Sequence, residues 1–130
     1  MNVDCLKSVP FFSGLGKKDF KELAAHTDEL DVRPGTVLAR EGDFGHEFFV
    51  IESGDFQVAM PDGRTAALGA GDFFGEIALL EADRRNATVT AKSDATVIVM
   101  NRSDFRRLEH AHPQISARVR EAIEQRRVPA

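Results

Sequence analysis

The sequence predicts a mainly β protein, an antiparallel barrel or jelly roll held between helical ends, and three observations lead there. From Leu30 to Asn101 short β-rich runs (EFFVIES, DFQVAM, ATVTA, ATVIVM) recur at roughly ten-residue spacing. Glycine-bearing turns separate them: Pro34-Gly35, Gly42-Asp43, Ser53-Gly54, Asp62-Gly63 and Gly69 to Gly71, where glycine can take the positive φ that tight turns require. At both ends of the chain the apolar period returns to that of a helix.

Each element follows in order. Phe20, Leu23, Ala24 and Leu30 fall near helical spacing, which predicts a short helix from Lys17 to about His26. The strand-like runs occupy the middle. After them, Asn101 or Ser103 can cap a helix that buries Phe105 and Leu108, with the acid Asp104 well placed in its first turn. Pro113 suits the first turn of a further helix, and Ile115, Val119, Ala122 and Ile123 follow on one face, so a final amphipathic helix should run to about Arg127. The expected organisation is one domain over residues 1–130: a helical lead-in over 1–30, a β-roll over 31–101 and C-terminal helices over 102–130.

Composition sets outer limits. A chain of 130 residues with 42% hydrophobic and 29% charged residues has the make-up of a single globular domain rather than a disordered or fibrous chain. No apolar run approaches the roughly 18 residues of a membrane span. The start, MNVDCLKSVPFF, lacks the basic and apolar regions of a secretory signal, so the cytoplasm is the expected compartment. The lone Cys5 supports neither an internal disulfide nor a cysteine-built zinc site, which agrees with a reducing environment. The net charge of −4 is uneven: residues 1–101 carry 10 Lys and Arg against 17 Asp and Glu, whereas the remainder carries 7 against 4. An acidic body argues against general attraction to nucleic acid, so an anionic ligand would need a local cluster of donors.

The stretch that offers one is Phe73 to Ala91, FFGEIALLEADRRNATVTA. Gly75 permits close backbone approach, and Glu76, Ile77, Ala78, Leu79 and Leu80 could form a short helical turn whose free N–H groups face an anion. Nine residues after Glu76 comes Arg85, followed by Asn86 and the small Ala87 at the start of a strand. Alone, a Gly-Glu followed by a distant Arg more often makes a surface salt bridge. The flanking pieces change the reading. Phe74, Gly75, Glu76, Ile77, Ala78, Leu79 and Leu80, then Arg85, Asn86, Ala87, Thr88 and Val89, resemble without a gap the phosphate-binding cassette of the cyclic nucleotide-binding domain family. That family includes catabolite activator protein, regulatory subunits of cAMP-dependent kinase and cyclic-nucleotide-gated channels. The upstream run RPGTVLAREGDFGHEFFVIESGDFQV resembles the family's first strands, so the likeness covers nearly the whole chain.

The resemblance implies a β-roll of the jelly-roll, double-stranded β-helix kind, with a short helix in the cassette. It implies a non-enzymatic sensor for a 3′,5′-cyclic nucleotide, needing no cofactor, that signals allosterically to an effector protein or domain. The physics of the residues agrees with that ligand. Arg85 would offer a planar fork of donors to the phosphate, which Lys could not reproduce. Glu76 would accept from the ribose 2′-OH, and its charge would penalise the dianionic phosphate of AMP. The resemblance further implies that backbone N–H groups near Ala78 and Ala87 complete the phosphate site, with Phe74, Gly75 and Ile77 part of it. Two positions depart from the family pattern. Arg84 stands where proline is common, which should leave the loop less rigid. Asn86 stands where some cGMP-selective members have threonine, which favours cAMP over cGMP.

In the family the last helix closes over the base. With no Trp or Tyr in the chain, the cap would come from Arg126, Arg127 or Val128, with Arg126 the choice because a guanidinium plane stacks on adenine. The alternative is a solvated basic helix end. Leu80 and a hinge over Phe105 to Pro113 would relay closure. No DNA-binding helix-turn-helix is expected after residue 113. Two other classes remain: a ligand-free interaction domain of the same fold, opposed by the intact Glu76 and Arg85, and a cupin-like metal enzyme. The second rests only on His110 and His112 at a helix junction, with His26 and His46 isolated.

Overall fold

In the computed structural model of the protein, residues 15–75 and 83–126 are described. The first described helix is α1 (Lys17–Ala25), whose first turn is fixed by Asp19 accepting the Gly16 N–H at 3.2 Å. Phe20 and Leu23 are its buried face. Leu30, which fits the same helical spacing, is instead 44% exposed on a strand, because the helix ends at His26 and the ladder restarts two residues later. The first strand, β1 (Asp28–Val32), therefore begins inside the stretch expected to be helical lead-in.

Nine further strands follow among the described residues: β2 (Val37–Ala39), β3 (Phe44–Gly45), β4 (Glu47–Ser53), β5 (Phe56–Ala59), β6 (Thr65–Leu68), β7 (Phe73–Phe74), β8 (Asp83–Arg84), β9 (Thr88–Ala91) and β10 (Ala95–Asn101). They form two four-stranded antiparallel sheets, ordered β1-β10-β4-β7 and β2-β9-β5-β6, with β3 and β8 as a separate two-stranded ribbon. The architecture is the expected roll, an open sandwich of two sheets and not a closed barrel. Gly35, Gly42, Gly54, Gly63 and Gly71 all take positive φ at the turns the sequence marks.

Two more helices follow among the described residues: α2 (Arg102–Ala111) and α3 (Pro113–Arg126). Asn101 is the cap of α2, its side chain accepting the Asp104 N–H at 2.8 Å. Phe105 and Leu108 are buried on α2, and Ile115 and Val119 on α3; the side chains of Ala122 and Ile123 lie outside the described residues.

Strands β4 and β10 pair side by side, and their side chains alternate between two cores. Phe48, Val50, Ile98 and Met100 face α1, α2 and α3, joining Phe20, Leu23, Phe105, Leu108, Ile115 and Val119. Phe49, Ile51, Val97 and Val99 face the inside of the roll, joining Phe56, Val58, Val89 and Ala91 from the other sheet and Ala87 just before β9. The two residues of β7 divide the same way. Phe73 sets its ring edge-on against Phe48 at 6.0 Å, while Phe74 stacks on Phe49 at 4.9 Å and lies 6.2 Å from Phe56.

Candidate functional site

The division of β7 places the chain for what comes next. With Phe73 anchored toward the helices and Phe74 toward the roll, the backbone arrives at Gly75 held from both sides. Gly75 has φ +81, a conformation other residues rarely adopt. A side chain there would also collide: a Cβ would sit 2.6 Å from the Arg85 Nη1 and 2.7 Å from the Glu47 carbonyl oxygen.

Arg85 is the centre of this region. Its backbone is clamped by the Gly42-Asp43 turn, the Arg85 N–H donating to the Asp43 carbonyl at 2.7 Å and the Gly42 N–H donating to the Arg85 carbonyl at 2.9 Å. Its side chain is half-buried and donates from Nη2 to the Glu47 carbonyl at 2.7 Å. Gly45, in β3, lies under the same guanidinium, so close that an added Cβ would be 2.7 Å from both Cζ and Nε. The cation is thus held by a backbone dipole and two glycines, with Ala87 buried two residues on.

Arg84 is also tied down. Its Nη1 donates to the Gly42 carbonyl at 2.6 Å and its guanidinium lies 4.4 Å from the centre of the Phe44 ring, which is 53% exposed. The loss of rigidity expected from replacing proline is offset by these two contacts. Asn86 is exposed beside them.

Of the residues expected to form the site, Phe74, Gly75, Arg85, Asn86 and Ala87 fall in one continuous neighbourhood. Glu76, Ile77 and Ala78, the short cassette helix and Leu80 lie outside the described residues, as does Cys5. Helix α3 reaches Arg126, whose side chain is likewise outside them. Sequence reasoning missed Gly45, Phe44 and the Glu47 carbonyl. Only the glycine in the run GDFGHE hinted at a close approach.

The histidines are arranged differently from the expectation. His26 is not isolated but meets His112 edge to face at 6.3 Å, and His112 Nε2 is 3.0 Å from Glu22 Oε2. These contacts fasten α1 to the junction of α2 and α3. Among the described residues no three His, Cys, Asp or Glu side chains are grouped to hold a metal ion.

This arrangement, a sandwich with an arginine and glycine cradle between β7 and β9, can be set beside known proteins. The family model described as the cyclic nucleotide-binding domain matches residues 29–112. The chain belongs to the cyclic nucleotide-binding domain family. A cyclic nucleotide-gated potassium channel of Rhizobium etli is 35% identical over 126 residues, covering 97% of this chain and 35% of that protein. A cAMP-dependent protein kinase regulatory subunit of Yarrowia lipolytica is 41% identical over 105 residues, covering 79% of this chain and 28% of that protein. The chain therefore spans about a third of the length of these curated relatives. Among solved structures, the N-terminal domain of a transcriptional regulator from Streptomyces coelicolor A3(2) superposes with a TM-score of 0.84 at 27% identity, covering 94% of this chain and 89% of that one. No described helix is long and apolar enough to cross a membrane.

Proposed function

We propose that this cyclic nucleotide-binding domain, a single unit over residues 1–130, is a cytoplasmic sensor that binds cAMP in preference to cGMP. Arg85 meets the cyclic phosphate, Glu76 takes the ribose 2′-OH, and the turn around Ile77 and Ala78, with Ala87, supplies backbone donors. Phe74, Gly75 and Asn86 shape the walls, and Arg126 caps the base as α3 closes. Closure changes the surface seen by an effector protein or domain, so the chain regulates without catalysing a reaction of its own and without itself reading DNA.

The observation that carries this reading is the seat of Arg85. A guanidinium held by the Glu47 carbonyl, over Gly45 and beside Gly75, is oriented by its surroundings. A planar fork seated in this way, against a carbonyl and two glycines, suits recognition of a phosphate monoanion. A cyclic phosphate has one negative charge and a rigid ring that fixes the 2′-OH beside it, which matches one arginine and one carboxylate. Asn86 brings an amide rather than a hydroxyl to the position that bonds the guanine amino group in some cGMP-selective members.

Calorimetric titration of folded, nucleotide-free protein with cAMP, cGMP and AMP tests the reading. Expected is tight cAMP binding, weaker cGMP binding and little heat with AMP. No heat and no rise in unfolding temperature with cAMP or cGMP would end it.

A further inference from the structure

The structure assigns Gly45 a positioning role: it keeps open the slot through which the Arg85 side chain reaches the ligand. This inference rests on the cyclic nucleotide reading for its functional half only. Gly45 is buried in β3, paired with Asp83 of β8. Its φ is not among the positive ones, so an alanine there needs no unusual backbone. The three nearest atoms it would meet all belong to Arg85: Cζ and Nε at 2.7 Å and Cδ at 3.0 Å. These are the outer atoms of a flexible side chain, so the arginine would move and the strand would stay.

That separates Gly45 from Gly75. A Cβ at Gly75 would press on the Glu47 backbone as well as on Arg85, at a φ of +81, so its replacement mixes strain with displacement. Gly45→Ala perturbs first the place where the guanidinium rests. Displacing it breaks the bond from Nη2 to the Glu47 carbonyl and draws the donor fork away from the phosphate.

The test uses the full chain in three forms, Gly45→Ala, Arg85→Ala and the double variant, each read by cAMP titration and by nucleotide-free thermal unfolding. Gly45→Ala should weaken cAMP binding roughly 10- to 100-fold, the scale of one misplaced charge-assisted hydrogen bond. In the Arg85→Ala background, where the slot is vacant, the same substitution should leave the unfolding midpoint unchanged. If Gly45→Ala alone fails to fold, the double variant folding as well as Arg85→Ala supports the role. Unchanged cAMP affinity in Gly45→Ala overturns it, and so does an equal loss of stability with and without Arg85. Should wild-type protein give no heat with cAMP, the sensor reading fails, while the unfolding comparison still decides whether Gly45 and Arg85 act on each other.

Discussion

Truncating Arg85 to alanine removes a side chain and little else, which makes its effect calculable. The backbone bonds of Arg85 to Asp43 and Gly42 do not involve the side chain, so the loop should keep its course. Without ligand the loss includes the bond from Nη2 to the Glu47 carbonyl at 2.7 Å. A net hydrogen bond contributes about 0.5 to 1.5 kcal/mol, and water can reach this part-exposed carbonyl in its place, so the lower end applies. For a domain of this size the loss of that bond lowers the unfolding midpoint by about 2 to 3 °C. With cyclic nucleotide the loss is larger, because a phosphate monoanion would lie in the site without its cation. Removing one side of a close charge pair costs about 2 to 5 kcal/mol. In affinity that is roughly 30- to 5,000-fold. Arg85→Lys should fall between, since it keeps the charge but not the planar fork. Titration calorimetry reads the affinities and circular dichroism the midpoints. A folded Arg85→Ala protein that binds cAMP as well as wild type would remove this residue from the phosphate site and with it the basis of the functional reading.

Two further outcomes concern the frame. Asn101→Ala should lower the unfolding midpoint by an amount equivalent to about 1 kcal/mol, because the Asp104 N–H loses its acceptor at the start of α2, whereas Asn101→Asp should retain most of the stability; equal midpoints for Ala and wild type would mean the cap carries no weight. Glu29 titrates above the ordinary 4.5, through its hydrogen bond to Glu52, repulsion from the Glu52 carboxylate and the nearby Asp31. A raised carboxyl favours the folded state when protonated, and that contribution fades as pH rises through its folded value. Glu29→Gln should therefore unfold at a higher temperature than wild type at pH 7, with the difference closing as pH falls below about 4.5. A constant difference across this range would assign the effect to something other than the carboxyl.

The sequence made some elements readable and hid others for physical reasons. EFFVIES and ATVIVM are nearly continuous apolar runs because β4 and β10 are covered on both faces, and their shortness and their β-branched and aromatic content mark them as strands. β1, with the sequence DELDV, is exposed at its first four residues and owes its place to the ladder with β10, so no apolar alternation announces it. The two-residue strands β3, β7 and β8 are too short to carry a pattern at all. At the site, Gly75, Arg85 and Ala87 were legible because side-chain type and spacing mark them. The Glu47 carbonyl was not, since every residue has one and only the fold decides which carbonyl faces an arginine. The encounter of His26 with His112 was equally invisible, joining positions from opposite ends of the chain.

The alternation along β4 and β10 has a consequence for how this domain can change length. Deleting one residue between Val97 and Val99 would turn every later side chain of that strand over, sending apolar groups shaped for the helices into the roll and the reverse. Both interiors would be spoiled by a single missing codon. At Gly35 and Gly63, where the surroundings are open for at least 4 Å around a would-be Cβ, added residues would project into solvent and disturb neither. Indels accumulated over time should therefore gather at the hairpin tips, while the two central strands keep a constant count.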